Sequence, residues 1–360
     1  THQPHTTTHD AHSSHNTHKH TQPHTQTTQP HHTTTRTIAA AIAAVLLATN
    51  APHPTIRPLP AYAENELAAL ADGKLKPALI EPECFATSCK LATTACAEDM
   101  DCLKGLTCAA KCMGDTECTV GCFARYGNEV LDNVLSCTVE EAGCLKIAVV
   151  EPGNDAPDAV PAPPKPLIAA PPSSLSGKWY KVMGWNSNYD CYDCQRNDFS
   201  KPAADVVSTE LRPAEQALNV EVEYSMPRER AGQPPRTYRT VLNEKLVFDT
   251  ERGAKRTAHT EGKMFGLTFW ENWYVIGQND RGESPFRMVY YTGKTLQNRY
   301  EGAFIYAREP ELPQSALPHI YKLAREAGFE PTDMCLIDNK CFTAPAPSNQ
   351  AQPSPFTPVA

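Results

Sequence analysis

Cysteine is the residue type whose number and spacing could do most in this chain, with 14 among 360 residues. Ten of them lie between Cys84 and Cys144. Cys108 and Cys112 are four apart, as are Cys118 and Cys122, so on two short helices each pair shares a face and the helices can be stapled together as Cys108–Cys122 and Cys112–Cys118. Such density marks a disulfide scaffold, which needs an oxidising compartment. Zinc is the competing chemistry, but its clusters combine Cys-x-x-Cys with a second such pair or with closely spaced histidines. Neither occurs between Cys84 and Cys144, so no metal is expected. A Cys-x-x-Cys does follow at Cys191 and Cys194. Thiol redox motifs of that type open a helix, whereas this one falls in a strand-end loop, and Cys335 and Cys341 remain as partners. Asp190 and Asp193 flank the same cysteines. Carboxyls brought near each other or into an apolar cavity have raised pKa values and sense acid, although Asp193 is equally suited to organising the turn around Cys194.

The elements that place these residues begin with a leader. Eleven of the 13 histidines precede residue 64, in a Thr/His/Gln-rich run with no apolar period. Arg36 is followed by an apolar stretch, Ile38 to Ala48, too short to span a bilayer but suited to the core of a signal sequence. Ala61-Tyr62-Ala63 offers a cleavage site. Residues 1–63 therefore read as a targeting region resembling a two-stage import sequence for the plastid and its thylakoid lumen, with plain secretion as the alternative. Cleavage there removes Lys19, Arg36, Arg57 and Asp10 from totals of 33 basic and 41 acidic residues, leaving a net charge of −10. Nucleic acid is excluded as a partner on that balance. A soluble or peripheral protein is expected.

The cysteine-rich unit, 84–144, is followed by a Pro-rich linker over 145–172. Residues 173–330 are long enough for a core of their own. Strands are expected at Trp179–Gly184, Leu218–Tyr224, Tyr238–Asn243, Phe265–Phe269, Trp273–Ile276, Arg287–Tyr291 and Ala303–Ala307. Alternation is plainest from Leu218 to Tyr224. A helix from Leu317 to Ala327 carries Leu317, Ile320, Tyr321 and Ala324 at helical spacing. Short strands with hairpin turns indicate a sandwich or an up-and-down barrel. The tail, 331–360, reads as disordered after Cys341.

Gly177-Lys178-Trp179-Tyr180 resembles the Gly-x-Trp opening of lipocalins, and the helix after the last strand matches their packing helix. The fold class expected is thus a small disulfide-rich helical domain plus an all-β up-and-down lipocalin barrel with one C-terminal packing helix. More specifically, the cysteine gaps of 5, 7, 6, 6, 4, 6, 4, 15 and 7 and Tyr189-Asp190-Cys191-Tyr192-Asp193-Cys194-Gln195 resemble the violaxanthin de-epoxidase family. So do Trp273-Tyr274, Val289-Tyr290-Tyr291, Phe304-Ile305-Tyr306-Ala307-Arg308 and Leu312-Pro313-Gln314-Ser315.

The resemblance implies a lumenal enzyme that removes an epoxide oxygen from violaxanthin through antheraxanthin to zeaxanthin, with ascorbate as reductant. It implies Glu271 and Tyr291 as catalytic residues beside Asp190 and Asp193, and an apolar barrel in which Trp179, Trp273 and Tyr306 contact an epoxy-carotenoid. It also implies the bridges Cys84–Cys102, Cys89–Cys96, Cys137–Cys144 and Cys194–Cys341, leaving Cys191 to pair with Cys335. Peripheral, acid-promoted association with thylakoid membrane lipid and a homodimer at low pH are further expectations. The family carries two aspartates where this chain has Glu271-Asn272, and more histidines in the barrel than His259 and His319. A non-catalytic lipocalin holding a carotenoid or isoprenoid, or a relative that rearranges epoxy-xanthophylls, is the alternative reading.

Overall fold

Apolar alternation along the strands builds a barrel in the computed structural model, which describes residues 81–343 apart from 113–114, 147–149, 155–162, 164–169, 203–214, 231, 234–235, 250–252 and 281–284. The leader, most of the linker and the tail from 344 lie outside the described residues. The eight barrel strands are β1 (Gly177–Gly184), β2 (Asp193–Ser200), β3 (Glu215–Arg228), β4 (Arg236–Asp249), β5 (Ala258–Met264), β6 (Leu267–Asn279), β7 (Phe286–Lys294) and β8 (Arg299–Ala307). Each pairs antiparallel with the next, and β1 closes the ring by pairing with both β8 and β2. A short ninth strand, β9 (Cys335–Leu336), joins β1 where β2 has left it.

Leu218, Val220, Val222 and Tyr224 all point into the barrel and are buried. Strands β2 and β5 escape a reading based on apolar alternation, because their inward positions include Gln195, Asn197, Thr260 and Gly262. The two short strands expected at Phe265–Phe269 and Trp273–Ile276 are one strand, β6. Phe265 and Gly266 form the turn before it, with positive φ values of 55° and 74°. Outward residues of β6 to β8, among them Tyr274, Tyr290 and Ile305, form a second core under the helix Leu317–Glu326, whose buried contacts are Ile320 and Ala324.

The cysteine-rich segment folds as α1 (Pro82–Thr87), α2 (Lys90–Glu98), α3 (Met100–Lys111), α4 (Thr116–Tyr126) and α5 (Glu129–Leu135), then a π-helical turn, Ser136–Glu141. Asp115 caps α4 by accepting from the Cys118 amide at 2.8 Å, and Asn128 caps α5 by accepting from the Leu131 amide at 2.9 Å. Phe85, Leu131 and Leu135 fill the small core. This unit does not hang on its linker as a separate body. Glu140 takes the backbone N–H and the hydroxyl of Thr268, at 2.5 and 2.7 Å, and the Arg228 guanidinium donates to the Gly127 carbonyl. Phe123 of α4 packs on Phe265, so the helices cover one end of the barrel.

All 14 cysteines are in disulfides. Cys108–Cys122 and Cys112–Cys118 join the facing helices as their spacing anticipates. Cys191–Cys335 and Cys194–Cys341 tie the β1–β2 loop to the C-terminal segment. Three bridges implied by resemblance differ. Instead of Cys84–Cys102, Cys89–Cys96 and Cys137–Cys144, the structure has Cys84–Cys144, Cys89–Cys137 and Cys96–Cys102. The reason is the fold of the chain. The turn between α2 and α3 brings Cys96 to Cys102, while Glu81 donates to the Cys144 carbonyl at 3.0 Å and so closes the first turn on the last. Order also extends beyond Cys341, since Phe342 packs on Tyr180 beneath the guanidinium groups of Arg196 and Arg239.

Peptide mapping of the unreduced protein is expected to recover Cys84 with Cys144 and Cys89 with Cys137. Replacing either pair with serine lowers stability by about 2–5 kcal/mol, read as a lower denaturation midpoint.

Candidate active site

The inward faces of the strands, the β1–β2 loop and helix α4 enclose a cavity of about 170 Å³. Most of its wall is apolar, including Val222, Leu242, Phe269 and Phe304, with Val120 and Phe123 supplied by α4. Four carboxyl or ammonium side chains intrude. They are Lys181 of β1, Asp190 of the β1–β2 loop, Glu244 of β4 and Glu271 of β6.

Lys181 faces inward because β1 alternates Trp179, Lys181 on that side before a bulge at Val182 re-aims the strand. Its ammonium donates to Asp190 Oδ1 at 3.0 Å and lies 4.3 Å above the Phe304 ring. Asp190 Oδ2 accepts from the Asn186 amide at 3.2 Å and from the Tyr291 hydroxyl at 3.0 Å. Burial pushes the Asp190 carboxyl up, and Lys181 and these donors pull it back only in part. Tyr291 lies across the strand pair on Gly302, where any Cβ would collide with its ring, and Tyr300 lies likewise on Gly293. Burial and the nearby carboxyls push the Tyr291 hydroxyl well above its ordinary value, so it remains a neutral donor.

Glu271 is held on both oxygens. Trp273 Nε1 donates to Oε2 at 2.8 Å and the Tyr300 hydroxyl to Oε1 at 3.1 Å. Burial is the largest influence and raises this carboxyl from 4.5 to about 7 against the pull of its donors and Lys181. Glu244 Oε2 accepts from Thr260 at 3.0 Å, and burial followed by the proximity of Glu271 raises it to about 8. Tyr306 also faces the cavity, its hydroxyl oxygen accepting from Asn197 Nδ2 at 2.7 Å.

Of the residues singled out from the sequence, Glu271, Tyr291, Asp190, Trp273 and Tyr306 converge on this cavity. Two do not. Asp193 is exposed and accepts from the Asp338 amide at 3.3 Å, because alternation through β2 turns it away from Gln195 and Asn197. Trp179 closes the floor below the cavity. Its indole donates to the Leu175 carbonyl at 2.8 Å, and the Arg308 guanidinium covers it at 3.7 Å. Tyr291 bonds Asp190, whereas Glu271 bonds Tyr300. Sequence reasoning missed Lys181, Glu244 and Tyr300. A charged residue in step with inward apolar ones was the available signal, in Trp179-x-Lys181 and in Leu242-x-Glu244-x-Leu246.

Residues 81–339 match the family model described as the VDE lipocalin domain. The chain belongs to this family. The violaxanthin de-epoxidase of Arabidopsis thaliana is 23% identical over 270 residues, covering 73% of this chain and 53% of that protein. That of Nicotiana tabacum is 24% identical over 271 residues, covering 73% and 51%. The chain thus spans about half the length of the curated relatives it matches. Solved structures resemble it more distantly. Apocrustacyanin C2 is 12% identical, covering 45% of this chain and 76% of that one with a TM-score of 0.30, and the siderocalin Ex-FABP is 15% identical, covering 45% and 93% with a TM-score of 0.27.

Two outcomes follow from the buried charges. Carboxyls at about 7 and about 8 in the folded protein, against 4.5 when free, make the folded state bind more protons than the unfolded one between those limits. Stability therefore falls as pH rises from about 5 to about 8. Thermal melts across that range are expected to show the decline, and Glu244→Gln with Glu271→Gln to flatten it. Lys181→Met leaves Asp190 buried without its cation and costs on the order of 3–5 kcal/mol. Adding Asp190→Asn restores most of the loss in a denaturant melt.

Proposed function

We propose that this cavity is the active site of an ascorbate-dependent de-epoxidase acting on violaxanthin-type epoxy-carotenoids. The observation that carries the reading is Glu271, a carboxyl buried among apolar side chains, fixed by Trp273 and Tyr300, and raised to about 7. Such a group is protonated in mild acid and can give its proton to an epoxide oxygen, a role worth about 10²–10⁴-fold in rate. The overall change breaks both C–O bonds of the epoxide and forms a C=C bond. The oxygen leaves as water, and ascorbate supplies two electrons and two protons to become dehydroascorbate.

Tyr291, fixed by donating its one hydroxyl proton to Asp190, which Lys181 holds in turn, presents a neutral oxygen that orients the oxygenated ring against Glu271. A cavity of about 170 Å³ is smaller than the roughly 300–1,000 Å³ that holds a drug-sized molecule. It suits one end ring of the carotenoid, with the polyene leaving at the mouth. Chloroplast residence, and within it the acidified thylakoid lumen, is part of the proposal, supported by the chloroplastic relatives and the import-like leader. Acid-promoted contact with thylakoid lipid and low-pH dimerisation belong to it as well. Asp190 is already paired with Lys181 inside the cavity, so it is not part of the surface that would meet lipid.

A second reading rests on the same geometry. Glu271 as acid and Asp190 as base face one cavity, which is sufficient for a redox-neutral rearrangement of the epoxide. Pigment chromatography after incubating the protein with violaxanthin, galactolipid and ascorbate near pH 5 separates the readings. Antheraxanthin followed by zeaxanthin is expected, and only with ascorbate. A product isomeric with violaxanthin would establish the rearrangement, and unchanged pigment a carrier. Glu271→Gln is expected to lose about 10²–10⁴-fold in turnover while still binding pigment, whereas Glu271→Asp keeps the acid and retains measurable activity.

A further inference from the structure

Taking oxygen out of an epoxide as water consumes two protons, and Glu271 holds only one. We propose that Glu244 is the second proton donor of the cavity, an inference that rests on the de-epoxidase reading. Glu271 protonates the epoxide oxygen as the first C–O bond breaks. Glu244 then protonates the resulting hydroxyl, so that the second C–O bond breaks with loss of water while the electron pair from ascorbate enters the C=C bond. The two protons released as ascorbate becomes dehydroascorbate restore the two carboxyls.

The placement is specific. Glu244 and Glu271 lie on β4 and β6, either side of β5, and both line the same cavity. On β5, Thr260 is the register partner of Glu271 and donates its hydroxyl to Glu244 at 3.0 Å, so one residue bonds Glu244 and stands opposite Glu271 on the neighbouring strand. The next inward residue of β5 is Gly262. A Cβ there would meet Glu244 Cγ at 3.0 Å and the Phe269 ring at 2.6 Å, so the absent side chain leaves the room in which Glu244 and Phe269 pack side by side. Lys181 across the barrel, Glu271, and the hydroxyls of Tyr224, Tyr300 and Tyr306 are the ionisable groups within electrostatic reach. Burial first, and Glu271 second, keep Glu244 protonated to about pH 8. The donors around it explain the division of labour. Glu271 is gripped on both oxygens and poised for the first transfer, whereas Thr260 grips only one oxygen of Glu244.

The test is the pH dependence of violaxanthin loss by the full chain at saturating ascorbate. If two carboxyls must both be protonated, log rate on the alkaline limb falls with a slope approaching two in the parent protein and one in Glu244→Gln. That variant is also expected to turn over about 10²-fold more slowly at pH 5. Thr260→Val strips the hydroxyl from Glu244 but leaves its acid, and so keeps the steeper slope. Infrared difference spectra between pH 5 and pH 9 on substrate-free protein need no turnover. Among the buried carboxyl bands, which include that of Asp132, raised by burial to about 6, one is expected to be lost in Glu271→Gln and another in Glu244→Gln. Should Glu244→Gln unfold the barrel, Glu271→Gln combined with Asp190→Asn decides, because a carboxyl band persisting at pH 7 supports the proposal and its absence overturns it. Parent rate and slope in Glu244→Gln would overturn it while leaving the de-epoxidase reading intact. A parent protein without ascorbate-dependent turnover would overturn both.

Discussion

One buried ion pair makes the rest of the cavity possible. Lys181 is the single cation among the described residues that line it, against three carboxyls. Removing a charge from water costs several kcal/mol, and mutual attraction offsets that only where geometry and further hydrogen bonds are good. Asp190 meets that condition with Lys181 at 3.0 Å, the Asn186 amide and the Tyr291 hydroxyl. Because the lysine is committed to Asp190, little of its charge remains to hold Glu244 and Glu271 ionised. Those two escape the cost of burial by keeping their protons. The pair thus separates one carboxyl held by a cation from two that keep their protons.

That sorting depends on the absence of water, and the cysteine-rich helices supply it. Phe123 and Val120 of α4 close the barrel end above Met264 and Phe265, and the cap is fixed at separate points by Glu140 to Thr268, Arg228 to Gly127 and Arg230 to Tyr126. Five disulfides keep the cap rigid although its core is small. Two more hold the loop that carries Asp190. Asn339 adds a buried link, accepting from the Gln195 amide and donating to the Lys181 carbonyl. Disulfide chemistry far from the cavity therefore bears on proton affinity inside it, through burial rather than through contact.

What could be read from residues alone follows the range of each signal. Helical spacing reports neighbours within two turns, and it was enough for Cys108–Cys122 and Cys112–Cys118. Cys84–Cys144 and Cys89–Cys137 join the two ends of the domain, a matter of tertiary closure that no local period records. Strand alternation found β3 because its inward face is wholly apolar, and missed β2 and β5 because theirs bear Asn197, Gln195 and Thr260. The same blindness hid Lys181 and Glu244, which occupy inward positions where a core residue is the expectation. Glu271 and Tyr291 were reached only through family resemblance, since no local period records the hydrogen bonds to Tyr300 and Asp190 that hold them.

The departures from the family pattern can now be weighed by where they fall. Asn272 stands in place of a second aspartate, but it points away from the cavity and accepts from Arg256, whose guanidinium also meets Asp249 at 2.6 Å. An aspartate there would join an existing ion-pair network outside the barrel. His259 approaches the same Asp249 at 3.5 Å, and His319 packs on Phe286. None of these touches the site. Glu271 does, and its extra methylene matters only through position, since errors near 1 Å can cost about 10²-fold. Here Trp273 and Tyr300 take one carboxyl oxygen each, so the longer side chain is clamped rather than free. The methylene moves the acid inward by a fixed amount, and what it alters is the distance at which an oxygen must be presented, not the capacity to protonate it.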